Sequence, residues 1–177
     1  MAILPIVKHP TSTLRVRSKE VDKTYLALPE TKKFIKNLID TMYANDGIGI
    51  ASSQVGTNVR ICIIGKDAVP GKKKDLVLVN PICVKTSKKM DTDSEGCLSV
   101  PKIYGNVKRY RDLAVNALDE NGNPLSFSAT KFFARVIQHE IDHLDGTLYI
   151  DKATDLYAAT EEDHDRFLEN IKKEKDK

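Results

Sequence analysis

The chain has 177 residues, 41% of them hydrophobic, and 28 Lys and Arg against 25 Asp and Glu give a formal net charge of +3. A chain of this length buries roughly 70% of the surface its unfolded form exposes, so one domain can fold without staples. The interspersed, nearly balanced charge argues against DNA binding as a main role, no stretch reaches the apolar length of a membrane span, and three cysteines without a C-x-x-C pair do not make a disulfide framework.

The first residues show no basic stretch followed by a long apolar run, so a soluble protein of a reducing cytoplasm is expected, with no membrane partner. An extended start runs through Val16. Phe34, Ile35, Leu38, Ile39 and Met42 then recur at helical spacing, with Pro29 in the first turn and Asp46-Gly47 as the stop, which predicts an amphipathic helix over 29–45. The glycine-punctuated run 47–56 reads as an ordered loop leading into a strand over 59–64. Residues 71–74, Gly-Lys-Lys-Lys, read as an exposed hairpin tip. Strands are predicted over 76–79, 82–86 and 107–118, with Asn121-Gly122 turning the chain into another over 125–129. Thr130 suits the N-cap of a helix carrying Phe132, Phe133, Val136, Ile137, Ile141 and Leu144, stopped by Asp145-Gly146. A last helix over 158–172 ends in a charged tail, 172–177, expected to fray. No repeat or long linker divides the chain, so residues 1–177 are expected to form one catalytic domain.

The chemistry gathers in the Thr130 helix. Gln138-His139-Glu140-Ile141-Asp142-His143 places two imidazoles four residues apart on one helix face, with a carboxylate directly after the first. Two buried imidazoles and a carboxylate in an otherwise apolar helix are costly unless they serve a metal. A catalytic metal needs a third protein ligand. In the zinc protease pattern HExxHxxGxxH the next histidine would fall at Tyr149, so that route fails. Glu161, Glu162 and Glu169 follow in a charged, solvent-facing run that suits a ligand poorly. Upstream, Glu95-Gly96-Cys97-Leu98-Ser99 offers a thiolate, a soft donor that suits zinc or ferrous iron. Gly47 and Gly49 follow a helix and lack a third glycine at the right spacing, which rejects a dinucleotide fingerprint.

Three motifs in order, GIGIASSQ at 47–54, EGCLS at 95–99 and QHEIDH at 138–143, closely resemble those of peptide deformylases, a likeness that runs to about Tyr149. The resemblance implies that Cys97, His139 and His143 hold one divalent metal, commonly ferrous iron, with zinc, nickel or cobalt as substitutes. It makes Glu140 the general base, and the Gln54 amide and the Leu98 backbone N–H the donors to the oxyanion. Ile48, Gly49 and Gly96 match positions that pair with an extended peptide backbone. Ile48, Phe132 and Val136 match the lining of a methionine slot, and Phe132 and Val136 serve equally well as core. Asp46 and Arg109 match an acid and a base that pair to brace the glycine loop. Ser52-Ser53 stands where Ala-Pro is usual, a change in that loop's hydroxyl contacts.

The expectation is an α+β fold, with partly open antiparallel sheets around the metal-binding helix, one helix from the N-terminal half and one at the C-terminus. Its function is removal of the N-formyl group from the formyl-methionine of nascent polypeptides, with formate released. The resemblance also permits ribosome association through the C-terminal helix. A zinc-dependent endopeptidase is the first alternative, for which Cys97 would be dispensable. A non-catalytic metal- or peptide-binding relative is the second, for which exchange of Glu140 would change nothing.

Overall fold

The computed structural model describes residues 2–71, 74–158, 160, 162 and 169. Its elements, in chain order, are α1 (Lys23–Ala27), α2 (Pro29–Ala44), β1 (Gly49–Ala51), β2 (Ile61–Ile64), β3 (Leu76–Lys85), β4 (Met90–Cys97), β5 (Val100–Tyr110), β6 (Asp112–Leu118), β7 (Pro124–Thr130), α3 (Lys131–Leu144) and β8 (Thr154–Ala158). They make two antiparallel sheets, of order β1-β2-β3-β6-β7 and β4-β5-β8. The α+β class with open antiparallel sheets and a central α3 is as expected. No helix among the described residues is long and apolar enough to cross a membrane.

The five-stranded sheet lies between the two long helices, and strand alternation explains how. In β2 the side chains of Ile61 and Ile63 join the core shared with Leu38 and Met42 of α2, whereas Cys62 and Ile64 join the core shared with Ile137 and Ile141 of α3. All four β2 residues are fully buried, because both faces of the strand are covered. A third cluster, Leu14, Val100, Val107, Leu148 and Tyr149, fills the space under the small sheet.

Both long helices end as the sequence predicts, with different residues in the left-handed position. At the end of α2 the Gly47 N–H bonds Met42 O at 2.9 Å and the Asp46 N–H bonds Tyr43 O at 3.2 Å, with Asp46 itself left-handed at φ 55°. This is a Schellman cap with an aspartate in the usual glycine position. In α3 the same pattern closes with Gly146 at φ 75°. Thr130 precedes α3 as expected, but its side chain makes no capping hydrogen bond.

Several expected boundaries are corrected. Residues 107–118 are two strands in different sheets, separated at Arg111, whose N–H bonds Lys89 O. Buried Val107, Arg109, Leu113, Val115 and Ala117 keep odd parity across the break, so the alternation gives no sign of it. The strands expected over 76–79 and 82–86 are one strand, β3, which ends at Lys85, with an irregularity between Val79 and Ile82 where Asn80 adopts φ 49°. Strand β4 was not expected, because Met-Asp-Thr-Asp-Ser-Glu-Gly-Cys is too polar to signal one. The extended start contains a 3-10 turn at Ser12–Arg15 that buries Leu14. Ala158 closes β8, and the rest of the helix expected over 158–172 and the tail 172–177 lie outside the described residues, apart from 160, 162 and 169.

Candidate metal centre

The ligand atoms of Cys97, His139 and His143 all lie within 4.8 Å of one another. Helix α3 presents both imidazoles from one face, and Cys97 arrives from the end of β4, where the pairing with β5 is irregular between Glu95 and Cys97. The Cys97 Sγ is 3.1 Å from His143 Nε2. Burial alone would favour the neutral thiol, but the facing His143 and His139 hold Cys97 well below the ordinary thiol range, as a thiolate.

Glu95 fixes the other imidazole. Its Oε2 lies 3.0 Å from His139 Nδ1, so Nε2 is the ring nitrogen left for a metal ion. The same carboxylate accepts from Arg109 Nε and Nη2 at 2.9 and 2.8 Å and from Arg135 Nη1 at 2.7 Å. Against burial, the bonds from Arg109 and His139 keep Glu95 ionised, well below the usual carboxylate range. Arg109 also bonds Asp142, which pairs with Lys152 Nζ at 2.6 Å. The expected pairing of Asp46 with Arg109 is therefore corrected: Arg109 is buried on Glu95 and Asp142, whereas Asp46 is exposed in the cap of α2.

The donor set fits a metal ion. Soft thiolate and two imidazoles converge, and Glu140, 3% exposed, leaves its Oε2 without a hydrogen-bond partner. Burial raises the Glu140 pKa to about 7, against the pull of His139 and His143. Tyr149, at the position where a protease would have its third histidine, stacks on the His139 ring at 5.9 Å and donates its hydroxyl to Ile103 O at 2.6 Å.

Gln54 approaches the cluster from the glycine loop. The Ala51 N–H bonds its Oε1 at 2.8 Å, which turns Nε2 toward Cys97 Sγ at 3.4 Å and Ser99 Oγ at 3.3 Å. The hydroxyls of Ser52 and Ser53 are both used, Ser53 Oγ reaching His143 O at 3.2 Å. Gln54, Cys97, His139 and Glu140 border a cavity of about 730 Å³ that also receives Ile48, Gly49, Gly96, Leu98, Phe132 and Val136. Ile48, Phe132 and Val136 pack with the α3 core as well, so both of their expected uses coexist.

A family model described as polypeptide deformylase matches residues 3–159. The chain belongs to the polypeptide deformylase family. Peptide deformylase 2 of Vibrio cholerae is 47% identical over 152 residues, which cover 85% of this chain and 86% of that protein. The chloroplastic peptide deformylase 1B of Solanum lycopersicum is 41% identical over 152 residues covering 86% of this chain, and the match spans only 53% of that relative's length. A Met-Ala-Ser-bound class I type b peptide deformylase from Acinetobacter baumannii superposes with a TM-score of 0.79 at 30% identity, covering 85% of this chain and 98% of that one. The deformylase motifs thus meet in one place: Gln54, Leu98, Cys97, His139 and Glu140 border one cavity, and His143 joins Cys97 and His139 in the candidate metal site. Sequence reading missed Glu95, Arg135 and Asp142. The one available signal for Glu95 was its place two residues before the cysteine ligand.

Proposed function

We propose that this chain hydrolyses the N-formyl group from the formyl-methionine of nascent polypeptides and releases formate. The convergence of a thiolate, two imidazoles and a buried, unpartnered Glu140 oxygen at one cavity carries this reading. Cys97, His139 and His143 would hold one divalent ion, which we assign as ferrous iron, with zinc, nickel or cobalt as replacements. When bound, such an ion supplies Lewis acidity, making water nucleophilic near neutral pH and polarising the formyl carbonyl.

The chain's own groups do the rest. Strands β1 and β4 each pair on one side only among the described residues, and both border the cavity. An extended peptide adds between these two edges through the backbone of Ile48, Gly49 and Gly96, a contact that reads little sequence. The methionine side chain enters the slot of Ile48, Phe132 and Val136. Glu140 takes a proton from the attacking water as its oxygen bonds the formyl carbon, then delivers that proton to the amine as the C–N bond breaks. The Gln54 amide and the Leu98 N–H donate to the oxyanion formed between those steps.

We further assign residues 1–177 to a single catalytic domain, working in a reducing cytoplasm that suits a thiolate ligand. Contact of the C-terminal segment with the ribosome is checked by co-sedimentation. The deciding assay is formate release from formyl-Met-Ala-Ser by anaerobically purified protein of known metal content. Glu140→Gln should keep metal and lose roughly 100-fold or more in turnover. A Cys97→Ser protein that retained metal, from a chain that cut internal peptide bonds and released no formate, would overturn the assignment in favour of an endopeptidase.

A further inference from the structure

The N-terminal segment before α1 stitches the two catalytic loops together. The Val7 N–H bonds Gln54 O at 2.8 Å, and the His9 N–H bonds Ser99 O at 2.8 Å. Lys8, between them, points to the catalytic cavity, and its Nζ donates to Leu98 O at 2.6 Å. The C=O of Leu98 and the N–H of Ser99 belong to one planar amide, and that N–H points to Cys97 Sγ at 3.4 Å. The ammonium, the amide and the sulfur therefore form one chain. Bonds in such a chain polarise one another, so a cation on the carbonyl strengthens the N–H donor at the other end. Ser99 is fully buried, so the amide at the centre of the chain is out of water although Lys8 itself is exposed.

We propose that Lys8 is a positioning residue: its ammonium fixes the Leu98–Ser99 peptide group, which holds Leu98 in the conformation that presents its N–H to the oxyanion and keeps the Ser99 N–H on the Cys97 sulfur. The inference rests on the deformylase reading for its effect on turnover, but its effect on the sulfur does not depend on that reading. Strand β4 ends at Cys97 and β5 starts at Val100, so Leu98 and Ser99 form the connection, and a flip of their shared amide would remove the bonds at both of its ends. Lys8 opposes that flip.

The test compares wild type, Lys8→Met and Lys8→Arg, each loaded with cobalt(II). In Lys8→Met the thiolate-to-cobalt absorption band should move to longer wavelength, because the sulfur loses part of a hydrogen bond, and kcat should fall about tenfold with KM held within about twofold. Lys8→Arg should restore most of both. The side chain is exposed, so the melting temperature should stay within a few degrees of wild type. A Lys8→Met protein with the wild-type band and kcat, or one whose loss lies in KM alone, overturns the proposal, the second outcome making Lys8 a substrate contact. The band is read without substrate, so it still decides the role of Lys8 if wild type releases no formate, a result that would instead sink the deformylase reading.

Discussion

A Cβ built on Gly49 would lie 2.4 Å from Glu140 Oε1, so the backbone of the glycine loop is the wall against which the proposed general base rests. Gly49→Ala has one cheap escape, which is to push the flexible end of Glu140 aside. A displacement of about 1 Å of a reacting group can cost on the order of 100-fold. We expect kcat/KM for formyl-Met-Ala-Ser to fall by about that factor, with metal content unchanged and a melting temperature within a few degrees of wild type. Full activity in Gly49→Ala would mean that Glu140 does not act from this position.

Glu95 to His139 is the second such relationship, and it separates binding from folding poorly by design. Replacing Glu95 with Gln leaves Arg109 and Arg135, 3% and 6% exposed, without their shared carboxylate. Removing one partner of a buried ion pair typically costs about 3–5 kcal/mol. The same exchange releases the His139 ring, and loss of such an orienting partner costs roughly 10–100-fold in metal affinity. Urea denaturation of the metal-free protein isolates the first effect, and chelator competition measures the second. A normal affinity in a destabilised protein would assign Glu95 to folding alone.

What could be read in the sequence was whatever repeats a local geometry. His139 and His143 share a helix face by spacing, Gly146 ends that helix, and Cys97 sits in a recognisable motif. Glu95 could not be read the same way, because its partners Arg109, His139 and Arg135 lie 14, 44 and 40 residues away and meet only when β4, β5 and α3 pack. The pairing expected for Arg109 with Asp46 failed for the same reason. Strand β4 was hidden by its polarity: one edge of it pairs with β5, but all of its residues from Met90 to Ser94 remain exposed or half-buried, so no hydrophobic alternation marks it.

Arg15 and Asp151 give a pH-dependent tie between the N-terminal 3-10 turn and the segment after α3. Arg15 donates to both carboxylate oxygens, Nη2 to Oδ1 at 3.1 Å. Against partial burial, the Arg15 bond lowers the Asp151 pKa below its ordinary 3.8. A depressed folded-state pKa gives stability that is present above the unfolded value and lost as pH falls through the folded one. Both side chains are more than a third exposed, so solvent limits the contribution to about 1 kcal/mol or less. Asp151→Asn should be less stable than wild type by that amount at pH 7, with the gap closing below about pH 4. Thermal melts across pH 2–7 check it, and a gap that persisted at pH 2 would assign the effect to packing.

Metal removal tests the centre from the side of stability. Cys97 and His143 approach to 3.1 Å in a part-buried site, and His143 Nδ1 is among the buried atoms without a hydrogen-bond partner. An ion bound only by the folded state stabilises it by mass action, about 4 kcal/mol at a free concentration of 1,000 times Kd. Stripping the ion with a chelator should therefore lower the melting temperature and abolish formate release. Adding back ferrous iron without oxygen, or cobalt, should restore both together. Cys97→Ser should melt near the stripped wild type and respond little to added metal, because a hydroxyl is a far weaker donor than a thiolate to these ions. A Cys97→Ser protein whose melting temperature rose with metal as the wild type does would remove the cysteine from the ligand set and reopen the search for the third ligand.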